Sequence, residues 1–201
     1  GDAKFASQPV GTGAYRFEEF VPDERVVLAA NENYWRGKPA LDEVTWRPIP
    51  DSTARITALV TGEVDLIEDV PVDLAPMLTA SPDVELVQVK DGGLTIYLGL
   101  RMDKEPLDDV KVRQALNHAI DRQGITDNLL QGMATPVGGQ VGKSDFGYLD
   151  LPVPAYDPEL SRKLLAEAGL PDGFEITMQS STRYMKNNEV AQAIAQQLGD
   201  V

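Results

Sequence analysis

The chain has 201 residues, 42% hydrophobic and 25% charged, values ordinary for a globular protein of one large domain or two small lobes. Its net charge of -14 repels phosphate backbones and excludes nucleic acid as a partner class, and the acids are spread along both halves as a solvated surface. The chain has no cysteine, which removes disulfides, thiol nucleophiles and thiolate metal sites; one histidine, His118, cannot build a histidine metal site. No apolar run approaches the roughly 20 residues that cross a bilayer. Gly1 to Val10 lacks the basic start and apolar core of a signal peptide, so the protein is cytoplasmic or its true start lies upstream.

Tyr15–Phe20 and Val26–Ala30 are β-rich runs around "VPDER", where Pro22 and Asp23 suit a turn, and together they predict a hairpin. Val44–Ile49 is a further strand, with Pro48 marking an edge or end. Asp51 or Ser52 caps a helix through Thr61 with Ile56, Leu59 and Val60 on one face, and Gly62 suits the position after it. A strand at Glu63–Ile67, a short helix near Val72–Ala80 and strands at Glu85–Val89 and Thr95–Leu100 follow. Asp108 caps a helix carrying Val112, Ala115, Leu116, Ala119 and Ile120 inward, and Arg122–Gln131 continues as a second helix stopped by Gly132. Met133–Pro154 is a long loop, of a length that tends to be functional. In "YDPELSRKLLAEAGLP", Asp157 caps, Pro158 opens and Gly169 closes a helix. Phe174–Gln179 is a strand, and Glu189–Leu198 is an amphipathic helix with Val190, Ala193, Ile194 and Leu198 inward.

Gly11 and Gly13 in "QPVGTGAYRF" pose a choice between a phosphate loop and a turn. A phosphate loop needs strand, glycine-rich turn and then helix, whose N-terminus holds the anion. Here strand follows, and no Lys-Ser/Thr pair does, so the glycines read as a turn with a positive φ at one of them.

"PVGTGAYRF" with "NENYWRGKPALDEV", Asn31 to Val44, resembles the signature region of the family 5 extracellular solute-binding proteins of ABC importers, the dipeptide, oligopeptide and nickel receptors. The resemblance continues through Ile49–Ile67, "PLDDVKVRQALNHAIDRQGI" (Pro106–Ile125), Tyr156–Phe174 and Glu189–Leu198, in order along nearly the whole chain. It implies an α/β, type II periplasmic-binding-protein-like fold, here as an incomplete two-lobe fragment from the middle of a longer protein. Residues 1–98 would be part of the first lobe and residues 99–201 part of the second, with "TIYLGLRMD", Thr95–Asp103, crossing between them. It further implies a receptor and not an enzyme, with a small solute such as a peptide in the cleft, an ABC permease in the membrane as partner, no cofactor, and a periplasmic or extracellular location, with a lipoprotein anchor as an option.

Several groups invite a functional reading. His118, Asp121 and Arg122 in "NHAIDR" read as helix-end structure. Glu63, Asp65, Glu68 and Asp69 read as solvated surface and not a glycosidase pair. Tyr34, Trp35 and Trp46 read as loop anchors. "SSTRYMKNN", Ser180 to Asn188, joins a strand end to a helix start, where polar groups and free helix N–H donors converge. Ser180, Ser181, Thr182, Arg183 and Tyr184 are the candidate ligand-binding residues. In peptide-binding relatives an acid in this region captures the ligand's α-amine. Ser180–Asn188 contains no acid and instead carries Arg183 and Lys186, which leans toward an anionic or hydroxyl-rich ligand. Two alternatives are a secreted carboxylate-dependent hydrolase, disfavoured because no catalytic set is evident, and a sensory binding protein that docks on a receptor.

Overall fold

The computed structural model describes residues 8–89, 94–181 and 186–201. They fall into two compact units, Gly1–Ile67 and Glu68–Val201.

The first unit is built on an antiparallel sheet in which β1 (Tyr15–Val21), β2 (Arg25–Ala30) and β3 (Glu43–Trp46) lie in sequence order. Tyr15 pairs with Ala30 and Val21 with Arg25, and a register shift between Phe17 and Glu19 marks a bulge at Glu18. β2 is central and at least half-buried along its length, whereas β1 and β3 have exposed positions. The predicted hairpin is therefore present. The positive φ expected at Gly11 or Gly13 is not; it falls on Asp23, at 59°. Chain reversal happens at the turn, where Glu24 N–H donates to Val21 O at 3.1 Å and aspartate tolerates the left-handed region. The glycines lie before the sheet, and Asn31 fastens them there, its Nδ2 donating to Gly13 O at 3.0 Å. No helix follows them, so the phosphate reading lacks its anion site.

Helix α1, Ser52–Val60, is capped by Asp51, whose Oδ1 accepts from Ala54 N at 2.7 Å. Gly62 closes it at φ 74°, as expected. Ile56 and Ala58 are buried, but Val60, expected inward, is exposed. The strand expected at Glu63–Ile67 is absent. Glu63 and Val64 both donate their N–H to Ala58 O, at 2.8 and 3.2 Å, so the chain folds back on the helix end instead of running out into a ladder.

In the second unit, α2 (Ala75–Thr79) buries its own Ala75 and Leu78, and Val72 just before it is also buried. Helix α3, Val110–His118, is capped by Asp109 and not by Asp108: the Asp109 carboxylate accepts from Lys111 N at 2.7 Å. The single helix expected over 122–131 is instead one short turn, α4 (Arg122–Gly124), that widens into a π-helical turn, Ile125–Leu129. Leu130 N–H reaches back five residues to Ile125 O at 3.2 Å. Gly132 still ends the segment, at φ 74°.

Helix α5, Pro158–Glu167, follows its sequence signals, with the Asp157 carboxylate accepting from Leu160 N at 2.9 Å and Gly169 at φ 84°. It packs on α3. Leu107, Val112, Ala115, Leu116 and Leu165 form the core there, flanked by half-buried Leu164, Phe174 and Leu198. Helix α6, Asn187–Gly199, starts two residues before its expected position.

Glu85–Val89, Thr95–Leu100 and Phe174–Gln179 have strand composition but form no strands. Alternating apolar residues supply only propensity, and a strand needs a neighbour. Among the described residues, nothing pairs with these runs, and Leu94 to Gly99 share no backbone hydrogen bond with any of them. The lobe boundary expected after Leu98 lies inside the second compact unit; it concerns lobes of a longer protein and is taken up below as a proposal.

Candidate functional site

A cleft of about 1050 Å³ opens within the second unit. Its walls come from the run Leu94–Leu98, the loop from Gly132 to Lys143, the end of the 174–181 segment, and α6. Helix α6 turns Val190, Ala191 and Ile194 toward it, all half-buried. These side chains recur at helical spacing, so sequence periodicity read Val190 and Ile194 as core positions. They do form an apolar face, but that face lines a cleft.

The loop wall depends on Gly138. A Cβ there would lie 2.2 Å from Leu151 O and 2.6 Å from Pro152 O, so two stretches of the 133–156 loop meet backbone to backbone. Only glycine permits that approach.

Ser180 and Ser181, two of the five candidate ligand residues, line the cleft and are exposed. Thr182, Arg183 and Tyr184 lie outside the described residues. Asn187, the first residue of α6, holds Ser181 in place: its Nδ2 donates to Ser181 O at 2.7 Å and to Ser181 Oγ at 3.2 Å. The α6 N-terminus has no side-chain cap.

Lys186 has a partner that the sequence did not suggest. Its ammonium forms an ion pair with Asp73, with Glu189 3.8 Å away. The hydrogen bond to Asp73 raises its pKa above the usual lysine value. Lys186 is therefore an answered charge, and the anionic-ligand lean drawn from Arg183 and Lys186 together now rests on Arg183.

Arg122 also lines the cleft, half-buried, which sequence reading missed. Its guanidinium donates to Asn117 O at 2.9 Å, Ile120 O at 3.3 Å and Asn117 Oδ1 at 2.8 Å, all neutral acceptors. Burial lowers its pKa. These bonds cap the carbonyl end of α3, so the helix-end role read from "NHAIDR" stands beside the cleft position. Asp121 caps α4 through Gly124 N at 2.8 Å, and His118 Nδ1 bonds Ala155 O at 2.8 Å, both structural contacts.

Outside the cleft, Glu63 pairs with Arg47 at 2.8 Å, and Asp65, Glu68 and Asp69 are exposed. Trp35 is 72% exposed, which corrects its reading as an anchor of the loop to the lobe. Its ring meets Tyr34 edge-on at 5.7 Å and carries Arg36 at 4.4 Å on its face, so it organises its own loop from the outside. Trp46, at the end of β3, is likewise exposed. Among the described residues, no group of three or more His, Asp or Glu could hold a metal, and no helix is long and apolar enough to cross a membrane. A cleft with apolar side chains beside hydrogen-bonding and charged groups, Arg122 and Lys143 among them, can bind and orient a small molecule.

All 201 residues match the family model described as bacterial extracellular solute-binding proteins, family 5, middle region. The chain belongs to family 5 of the extracellular solute-binding proteins. This is a family of transport binding proteins and not of enzymes, and nothing supports the hydrolase alternative. Among family 5 relatives, the glutathione-binding protein GsiB of Salmonella paratyphi A is 37% identical over 195 residues, 96% of this chain and 38% of its own length. Heme-binding protein A of Haemophilus influenzae is 41% identical over 172 residues, 84% of this chain and 31% of its own. The structure of the periplasmic binding protein DppA from Helicobacter pylori, in complex with the peptide STSA, superposes with a TM-score of 0.81 at 31% identity, covering 98% of this chain and 38% of that one. The fold is thus the expected α/β, type II periplasmic-binding-protein fold. The chain spans 31% to 38% of the length of these three relatives.

Proposed function

We propose that the protein is the substrate-binding component of an ABC importer, which closes two lobes on a peptide or similar small solute and presents it to a permease in the membrane. The observation that carries this reading is the cleft of about 1050 Å³, whose size suits a short peptide, in a chain with the family 5 fold. Residues 1–98 contribute to one lobe and residues 99–201 to the other, with Thr95–Asp103 crossing between them. Ser180, Ser181, Thr182, Arg183 and Tyr184 form part of the ligand wall. The protein works in the periplasm or outside the cell, and a lipid anchor in the longer protein would keep it near its permease.

The absence of an acid from Ser180 to Asn188 disfavours capture of an α-amine there, and Arg183 suits a carboxylate or other anionic end of the solute. The test is native mass spectrometry of full-length protein purified from its host, followed by calorimetry with the solute found. A bound peptide-like solute, and an Arg183→Ala variant about tenfold or more weaker, are expected. A full-length protein that carries no small solute and binds no peptide overturns the reading. Unaltered affinity in Arg183→Ala removes that residue from the site.

A further inference from the structure

Asp73 stands where two parts of the chain meet. It precedes the crossing run Thr95–Asp103, while its two partners follow it. Gln131 Nε2 donates to the Asp73 carboxylate at 3.0 Å, and Lys186 forms an ion pair with the same carboxylate. Both partners are held at special backbone positions. Gln131 has φ 50° at the end of the π-helical turn, and Lys186 has φ 55° immediately before α6. A left-handed conformation is uncommon for residues other than glycine and persists only where surrounding contacts hold it. Here two such residues aim their side chains at one carboxylate. The Lys186 side chain is 21% exposed but that of Asp73 is 52% exposed, so the pair is open to solvent on the carboxylate side.

We propose that Asp73, Gln131 and Lys186 form a clasp between the lobes, which holds the closed state and which solute release must break. This rests on the two-lobe reading above, since it needs residues 1–98 and 99–201 to move apart. The clasp also sets one edge of the site. Lys186 immediately follows the candidate ligand wall, and Asn187 immediately after it fastens Ser181. Opening the clasp therefore frees the start of α6 and loosens the wall that touches solute. Such a contact contributes weakly, as an exposed ion pair should, and this suits a receptor that must open again.

The experiment measures the distance between lobes in full-length protein without solute. With any cysteine outside these 201 residues replaced, Asp83→Cys and Glu159→Cys place two spin labels at exposed positions on either side of the crossing run. Two distance populations are expected. The shorter should fall about two- to fivefold in Asp73→Asn, in Lys186→Met and in molar salt. The reversed pair, Asp73→Lys with Lys186→Asp, should restore it. One fixed distance in every variant, a short-distance population indifferent to both single changes, or a reversed pair no better than the single changes would overturn the clasp. Solute binding is measured separately: wild-type protein that binds no peptide but closes in this charge-dependent way loses the transport reading and keeps the clasp.

Discussion

Ser161, fully buried on α5, donates its hydroxyl to Ala115 O on α3 at 2.9 Å. The same carbonyl already accepts from Ala119 N within its own helix, also at 2.9 Å. The two helices thus touch closely enough for a side chain to reach a helical carbonyl, which requires a small residue at 161. Ser161→Ala leaves the carbonyl with a partner and should cost only about 0.5–1.5 kcal/mol. Ser161→Leu must push the helices apart and should cost about 1–3 kcal/mol or more. Urea unfolding of the full-length protein separates the two; equal stability in both variants would mean that the α3–α5 contact is looser than described.

The Asp157 cap sits between this helix pair and the end of the cleft loop. Asp157→Ala removes the acceptor of Leu160 N and should destabilise by about 1 kcal/mol, with Asp157→Asn recovering most of the loss. Thermal unfolding of both variants checks the prediction.

Lys111 and Glu167 join α3 to α5 at 3.0 Å. The hydrogen bond from Lys111, and then its charge, hold the Glu167 carboxyl below the usual 4.5. A carboxyl whose folded pKa is depressed contributes stability above its unfolded pKa and loses it as pH falls through the folded value. The pair should therefore help at neutral pH and cease to help in acid below about pH 4, and the effect should be small because both side chains are partly solvated. Carboxyl NMR should show Glu167 titrating higher in Lys111→Met. An unmoved titration would mean that the pair does not persist in solution.

Gly138→Ala places a methyl group against the Leu151 and Pro152 carbonyls, which have no room to yield except by moving the loop. The expected result is a fall in solute affinity of about tenfold with a smaller change in melting temperature, measured by calorimetry and thermal unfolding. Unchanged affinity would separate this loop from the binding wall.

Asn187→Ala should weaken solute binding severalfold by releasing Ser181, while α6 keeps its length, since the helix has no side-chain cap to lose. Circular dichroism and calorimetry together test this. A loss of helix would show that Asn187 supports the element and not the wall.

The elements most legible in the sequence were those whose signals are local. The Asp51 and Asp157 caps, the closing glycines at 62, 132 and 169, and the β1–β2 hairpin each depend on residues a few positions apart. Asp109 displaced Asp108 as cap because adjacent aspartates are interchangeable on paper and only backbone geometry chooses. The π-helical turn at Ile125–Leu129 carries no distinct composition, so a plain helix was the natural reading. Strand runs failed where partners were needed, since pairing is not a local property. At the site, the polar run before α6 pointed to Ser180 and Ser181. The Lys186–Asp73 pair joins positions more than a hundred residues apart, and nothing in either neighbourhood signals the other.

Leu94, Ile96, Tyr97 and Leu98 stay exposed along a backbone that has no hydrogen-bonded neighbour among the described residues. Such a run is a docking template for any other run like it, including the same run in another molecule. A preparation restricted to these 201 residues should accordingly turn cloudy as it is concentrated, by growth of sheet between molecules. Charge placed on this run, for example Ile96→Lys, should keep the solution clear.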